Sequence, residues 1–503
     1  MGNNAQINGL LLSVLSSSGI KSYPVLLRRR SQGRLPLALP SLDKISTFIV
    51  AAETNDGKTY YNLKFESKRI IKYIPGSSTI CRLSLQKAFS PSFREKHPLL
   101  YVAPKNFIID GVSGSFATIK EMGDFQNKLN RDRNTLSPEM KQKILSLTKN
   151  ANSDKEKIKI LYDYLGQTTR YESIQLGIGG LQPIESGEVS KTGFGDCKGL
   201  SFYLKSMLEA INIPSHYTII ELNETEKNLQ KDFTSYLQSN HVILSVSLQS
   251  ETLWLECTNP NVPFGYVHSS IAGHNAILVT PEGADFVRLP DYKDIDNLSQ
   301  NNITVNFNGN DETLITVNSS NFLKFHEELS PLLKKSKNEQ IDYVRSNISL
   351  QNATINDLSI EERKSAHPEF ILKYALSSKY GNKTGNRYFI PLNAFRTLKT
   401  SMMNTERNQD IVISNGWKNM DNIEIKIPDG FEIEYLSESL TLESPFGLLE
   451  SSIKSNDENS ILITQSFVLN SGRWSVKQYN DFIDFLKNVS HAYNDEIVLK
   501  NTR

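Results

Sequence analysis

Cys197 lies in the stretch Gly193-Phe194-Gly195-Asp196-Cys197-Lys198-Gly199, and Leu200, Tyr203, Leu204, Met207, Leu208 and Ile211 follow it at helical spacing. The pattern predicts that Cys197 sits where a glycine-bearing loop enters a helix. Unpaired backbone N–H groups and the positive end of the helix dipole favour a thiolate at such a place. The same N–H groups stabilise an oxyanion formed by attack on a carbonyl. Glycines allow close approach of the backbone to a substrate. The competing reading is a small buried apolar cysteine, the usual state of a free thiol. Asp196 is read as stabilising the helix start rather than reacting.

Two further residues complete a chemistry. His241 opens the apolar run His241-Val242-Ile243-Leu244-Ser245-Val246-Ser247, and Glu256 closes Thr252-Leu253-Trp254-Leu255-Glu256. If the runs pair as a hairpin, Glu256 falls opposite His241 or diagonally beside it on one face. A carboxylate there fixes the imidazole tautomer and stabilises the imidazolium, the third role in a nucleophile–base–acid triad. Each residue alone has a structural reading, a strand-edge histidine or a surface carboxylate; the three together point to thiol acyl chemistry. Cys257 alternates to the opposite face and is expected to pack inside. His216 is the alternative base, without an identifiable acid partner. His268 and His274 fall in a loop that could line a cleft.

Around these residues the elements read as follows. Ser137-Pro138-Glu139 predicts a helix start with proline in the first turn, and Ser153 with Glu156 has capping-box spacing before Ile158, Leu161 and Leu165. Gly177-Ile178-Gly179-Gly180 with Pro183 reads as a loop; it lacks the Lys-Ser/Thr ending of a phosphate loop. Near the start, a helix with Leu11, Leu12 and Leu15 precedes the apolar run Tyr23–Leu27. Two strands, 46–51 and 58–61, flank Asn55-Asp56-Gly57. From residue 301 the texture changes to alternation: Ile423, Ile425 and Ile427, then Phe431, Ile433 and Tyr435 after Asp429-Gly430, with a closing amphipathic helix through Tyr479, Phe482, Ile483, Leu486 and Val489.

Length and composition bound the rest. The 503 residues suggest about three domains. With 38% hydrophobic and 22% charged residues the chain is expected to be globular. The net charge of +1 lacks the basic excess of a nucleic-acid binder, and Arg28-Arg29-Arg30 reads as a solvated loop. No apolar stretch is long enough to span a bilayer, and residues 9–15 are too short and uncharged in front for a signal peptide. Cys81, Cys197 and Cys257 form neither a disulfide framework nor a metal-site spacing. No metal or organic cofactor is expected. Oligomeric state is open.

The segments Thr169-Arg170-Tyr171, Ile174 to Gly180, Gly195-Asp196-Cys197-Lys198, Asn240-His241-Val242-Ile243 and Trp254-Leu255-Glu256-Cys257-Thr258 together resemble bacterial transglutaminase-like proteins, of the subgroup flanked by uncharacterised β-rich domains. The resemblance covers roughly residues 91–300, and 301–503 is similar to that subgroup's C-terminal domain. It implies an α+β, papain-like fold with thiol acyl chemistry on Cys197, His241 and Glu256, where many relatives carry Asp at the last position. It also implies Gln175 and Gln182 as extra oxyanion donors, a peptide or protein substrate, and a periplasmic or extracellular location. Some relatives use calcium, but no acidic loop here suggests it.

An internal echo accompanies the resemblance. Residues 2–27 align without gaps to 195–220, with Asn4 in place of Cys197 and Thr47 in the place of His241. The expected organisation is therefore a partial, degenerate transglutaminase-like half-domain at 1–90, a connecting region at 91–150, a catalytic core at 151–300 and a β-rich domain with helices at 301–503. The missing upstream half of the first copy suggests that the chain is a fragment of a longer protein. The expected function is a cysteine peptidase or amidase acting through a thioester. The alternatives are protein-glutamine acyl transfer at the same site, or a non-catalytic binding or scaffold protein.

Overall fold

A computed structural model describes residues 4–27, 47–54, 57–61, 105–174, 177–223, 229–308, 312–350, 352–396, 398, 410–456 and 459–502. They form a mixed α and β protein whose contacts divide it into two units. The first comprises Met1–Phe107, Ser115–Ala117 and Asp232–Gln238, and the second comprises Ile108–Gly114, Thr118–Lys231 and Ser239–Arg503. Apart from Asp232–Gln238, the regions expected at 151–300 and 301–503 thus fall in the second unit.

In the first unit, helix Asn4–Ser17 leads into a three-stranded antiparallel sheet in the order Ser22–Leu27, Thr47–Thr54, Gly57–Tyr61. Gly19 at φ +75° ends the helix in the left-handed region that favours glycine. Strand pairing sets Leu27 opposite Thr47. Asn55 and Asp56 of the expected turn lie outside the described residues, as do Arg28-Arg29-Arg30 and Cys81.

In the second unit, helices Ile119–Asn130, Pro138–Thr148, Asp154–Thr168, Ser186–Thr192 and Cys197–Glu209 precede and support a five-stranded antiparallel sheet. The strand order is Thr252–Leu255, His241–Ser247, His216–Ile220, Asn275–Thr280, Gly283–Arg288. Ser137 caps its helix with Pro138 in the first turn, as the sequence predicts. Ser153 also caps, accepting from the Glu156 N–H at 3.2 Å, but the Glu156 carboxylate reaches back to the N–H of Asn152 at 2.7 Å. Helix Pro138–Thr148, inside the expected connecting region, supplies Met140 and Ile144 to the apolar core that also holds Ile158, Leu161, Leu204 and Leu244.

The later part of this unit holds an eight-stranded sheet and a four-stranded one. Strand Leu298–Asn308 runs parallel to Trp417–Lys426, and the other pairings of the large sheet are antiparallel. Ile423, Ile425 and Ile427 are buried, as their alternation predicts. The strand Phe431–Tyr435 that follows Gly430 joins the other sheet, beside Glu496–Asn501, and Tyr435 stands exposed. Helix Tyr479–Asn494 buries Tyr479, Phe482, Leu486 and Val489. Among the described residues no helix is long and apolar enough to cross a membrane.

A buried polar cluster ties the large sheet to the segment before the closing strands. Asp421 accepts from Asn301 at 2.8 Å, Asn393 at 3.0 Å and the Arg396 guanidinium at 3.0 Å. Removing one member of a buried ion pair leaves the other charge without compensation. Asp421→Ala should cost about 3–5 kcal/mol in chemical denaturation, whereas Asp421→Asn, which keeps acceptors for the two asparagines, should cost less.

Candidate functional site

The helix bearing Cys197 starts sharply. Asp196 is its N-cap, in extended backbone, and its carboxylate accepts from the Gly199 N–H at 3.0 Å and pairs with the buried Lys198 ammonium. The N–H groups of Cys197 and Lys198 remain at the helix mouth, where an α-helix offers no internal acceptor. The preceding glycines set this entry. Gly193, at φ +72°, is the left-handed C-cap of Ser186–Thr192. Gly195 pairs in parallel with Tyr171, and a Cβ there would press on Leu200 at 3.1 Å. Both glycines thus shape the chain's entry into the helix. The Arg170 guanidinium lies over the Phe194 ring at 4.0 Å, holding the short strand pair together.

His241 begins the strand next to the sheet edge, and the register sets Ile220 opposite it. Leu255 lies opposite Leu244, so Glu256, one residue beyond the strand, comes diagonally beside His241, the second of the two placements expected. Glu256 Oε2 accepts from His241 Nε2 at 2.7 Å. Glu256 Oε1 accepts from the Thr258 N–H at 2.8 Å and the Thr258 hydroxyl at 2.5 Å. Tyr162 donates to the Glu256 carbonyl at 2.8 Å and anchors the same turn from the helix layer. Both acidic and imidazole side chains are buried.

Burial by itself would lower the His241 pKa. The Glu256 charge and hydrogen bonds to Cys197 and Glu256 outweigh it and lift the ring to about 10. Burial would likewise raise Glu256, but the His241 charge and hydrogen bonds from His241 and His268 hold it well below the usual carboxylate range. The structure therefore joins His241 and Glu256 directly, with the carboxylate on Nε2, and the Cys197 thiol is among the groups that lift the ring's pKa. Cys197 is 5% exposed and His241 9%, so access to the thiol is narrow.

The remaining sequence candidates separate. Gln175 lies outside the described residues. The Gln182 amide donates to the Leu129 carbonyl at 3.1 Å and accepts from Arg133 at 3.0 Å. Those bonds tie it to the end of helix Ile119–Asn130 and to Arg133. Cys257 packs into the core and burial pushes its thiol far up. His216 sits opposite Ser245, away from Glu256, and contacts the Val279 carbonyl at 3.3 Å.

Two residues stand closer to the site than their sequence signals suggested. His268 Nε2 reaches the same Glu256 oxygen as His241, at 3.3 Å. Tyr171, 44% exposed, has its hydroxyl pKa raised by burial and further by the charges of Cys197, Asp196 and Glu256, against a hydrogen bond to Ser173. A cleft of about 450 Å³ opens beside the carboxylate, lined by Glu256, Thr258, Tyr266, His268, His326 and Glu327 among others. Among the described residues no group of three or more His, Cys, Asp or Glu is arranged to hold a metal ion.

Comparisons place part of the chain. Residues 386–499 match a family model described as a domain of unknown function with a solved structure (DUF3858). A solved structure from Parabacteroides distasonis ATCC 8503, described as a "putative protease", is similar with a TM-score of 0.45 and 12% identity. The likeness covers 75% of this chain and 58% of the other, so the chain spans less than two thirds of that protein's length. No curated protein matches.

The pair has a pH signature. Raised in the fold, His241 contributes stability that is full below its ordinary value of 6.5 and fades as pH rises through about 10. Lowered in the fold, Glu256 contributes stability present above its ordinary value of 4.5 and lost as pH falls through its depressed value. These are two ends of one interaction. In an NMR titration His241 should keep its proton through neutral pH, and Glu256→Gln should lower its titration by about 1–3 units.

Proposed function

We propose that this chain is a transglutaminase-like cysteine hydrolase, with a papain-like core, that cleaves a peptide or amide bond through a thioester on Cys197. The observation that carries the reading is the His241 ring, held by buried Glu256 on one nitrogen and acted on by the Cys197 thiol. A free thiol at a helix mouth is a common feature. A thiol that acts on an imidazole held by a carboxylate is the combination nucleophilic catalysis requires.

The chemistry follows from the proton on His241. His241 takes the Cys197 proton as the sulfur attacks, forming a C–S bond while the carbonyl electrons move to oxygen. The N–H groups of Cys197 and Lys198 at the helix mouth are suited to that oxyanion. When the tetrahedral species collapses, the C–N bond breaks and the leaving amine takes the His241 proton. Water then gives a proton to His241 and attacks the thioester, releasing the acid and the thiolate. An amine in the place of water gives protein-glutamine acyl transfer with the same groups.

The first unit supports a partial, degenerate copy at residues 1–90 in this reading. Its helix begins at Asn4, at the alignment position of Cys197, and Leu27 lies opposite Thr47 as Ile220 lies opposite His241. Residues 151–300 would form the catalytic core and 301–503 the β-rich region. The location suggested by the resemblance, outside the cytoplasm, belongs to the same proposal. The near-closure of Cys197 favours the competing reading, a binding or scaffold protein.

A thiol-reactive peptide-amide probe separates these readings. Wild-type labelling should be abolished by Cys197→Ala and reduced about 10²–10⁴-fold in rate by His241→Ala, the range for a positioned acid–base group. Equal labelling of the wild type and the His241 variant would leave the binding reading in place.

A further inference from the structure

The loop after Glu256 is clamped from two sides. On the sheet side, Val267, Ile271 and Ala272 pack with Ile220, Ile243 and Trp254, and the His268 carbonyl accepts from the N–H groups of Ile271 at 3.0 Å and Ala272 at 2.9 Å. On the other side stands helix Lys324–Leu329, which belongs to the β-rich region. Its Glu327 accepts from the Tyr266 hydroxyl, from the Ser269 N–H at 2.7 Å and from the Ser269 hydroxyl at 2.6 Å. These anchors bracket His268 in sequence. The ring between them points Nε2 at Glu256 Oε2, the oxygen that also accepts from His241.

We propose that Glu327 and His268 form a positioning relay through which the β-rich region holds the Glu256 carboxylate in register with His241. The proposal rests on the reading of Cys197 and His241 as the reacting pair and adds to it a role for the later domain. The physical need is plain. A carboxylate on the residue just past a strand end can rotate. Thr258 holds Oε1 from within the same turn, while Oε2 is shared by two rings from different segments. A second donor on Oε2 limits that rotation and keeps the His241 bond short. His268 acts through Glu256, and Glu327 acts through the loop. Neither is assigned contact with a reacting atom.

The test uses the full chain, with iodoacetamide alkylation of Cys197 measured across pH 5–10. His268→Leu should slow alkylation at neutral pH by about ten- to a hundredfold, the scale of misplacing a positioned group, and shift the pH profile. His268→Gln, which retains a donor for Glu256, should restore most of the rate. Glu327→Ala should change rate and profile in the same direction as His268→Leu. Wild-type rate and profile in both His268→Leu and Glu327→Ala, or equal impairment in His268→Leu and His268→Gln, would overturn the relay. If His268→Leu does not fold, ¹⁵N NMR of the wild-type rings decides: the relay requires a proton on His268 Nε2, and a ring protonated on Nδ1 alone refutes it. Failure of the underlying reading looks different, because Cys197 in the wild type would then show no rate advantage that depends on His241.

Discussion

The bond between Glu256 and His241 is the interaction on which the site depends. Both groups are buried, and each charge alone would be costly there, by several kcal/mol. They are tolerated because the carboxylate is fully engaged: two donors from Thr258 on one oxygen, and imidazole nitrogens of His241 and His268 on the other. That arrangement fixes the orientation of the ring through its Nε2.

The second requirement is the helix entry. Asp196 takes the Gly199 N–H and the Lys198 ammonium, which fixes the first turn of the helix. Gly193 turns the chain into the short strand that pairs with Arg170-Tyr171, and this pairing carries Tyr171 to the neighbourhood of the thiol. The same few residues thus set the direction of the helix and the wall beside it.

Glu327 joins the later part of the chain to the loop after Glu256, through Tyr266 and Ser269. The β-rich region's match to a domain of unknown function covers residues 386–499 and says nothing of chemistry, yet helix Lys324–Leu329, ahead of that match, grips the loop after Glu256 on both sides of His268. In the proposed function the region is a support of the site, and its internal polar cluster around Asp421 gives that support a defined sheet geometry.

Local patterns were sufficient for much of this. Helical spacing after Cys197, the caps at Ser137 and Ser153, the period-2 burial of Ile423 to Ile427 and the face of Cys257 all depend on neighbours in sequence, and periodicity carries that information. Pairing of the runs around His241 and Glu256 was also legible, but only to within one step of register, because the turn chooses among offsets that keep the same face inward. Tertiary structure alone decided the rest. Gln182, expected from the resemblance as an oxyanion donor, bonds to Leu129 and Arg133, some fifty positions earlier. His268 looked like a loop residue and shares the carboxylate of Glu256, while Glu327 gave no signal at all. A hydrogen bond between segments distant along the chain leaves no periodic trace, and it exists only once the fold has closed the distance.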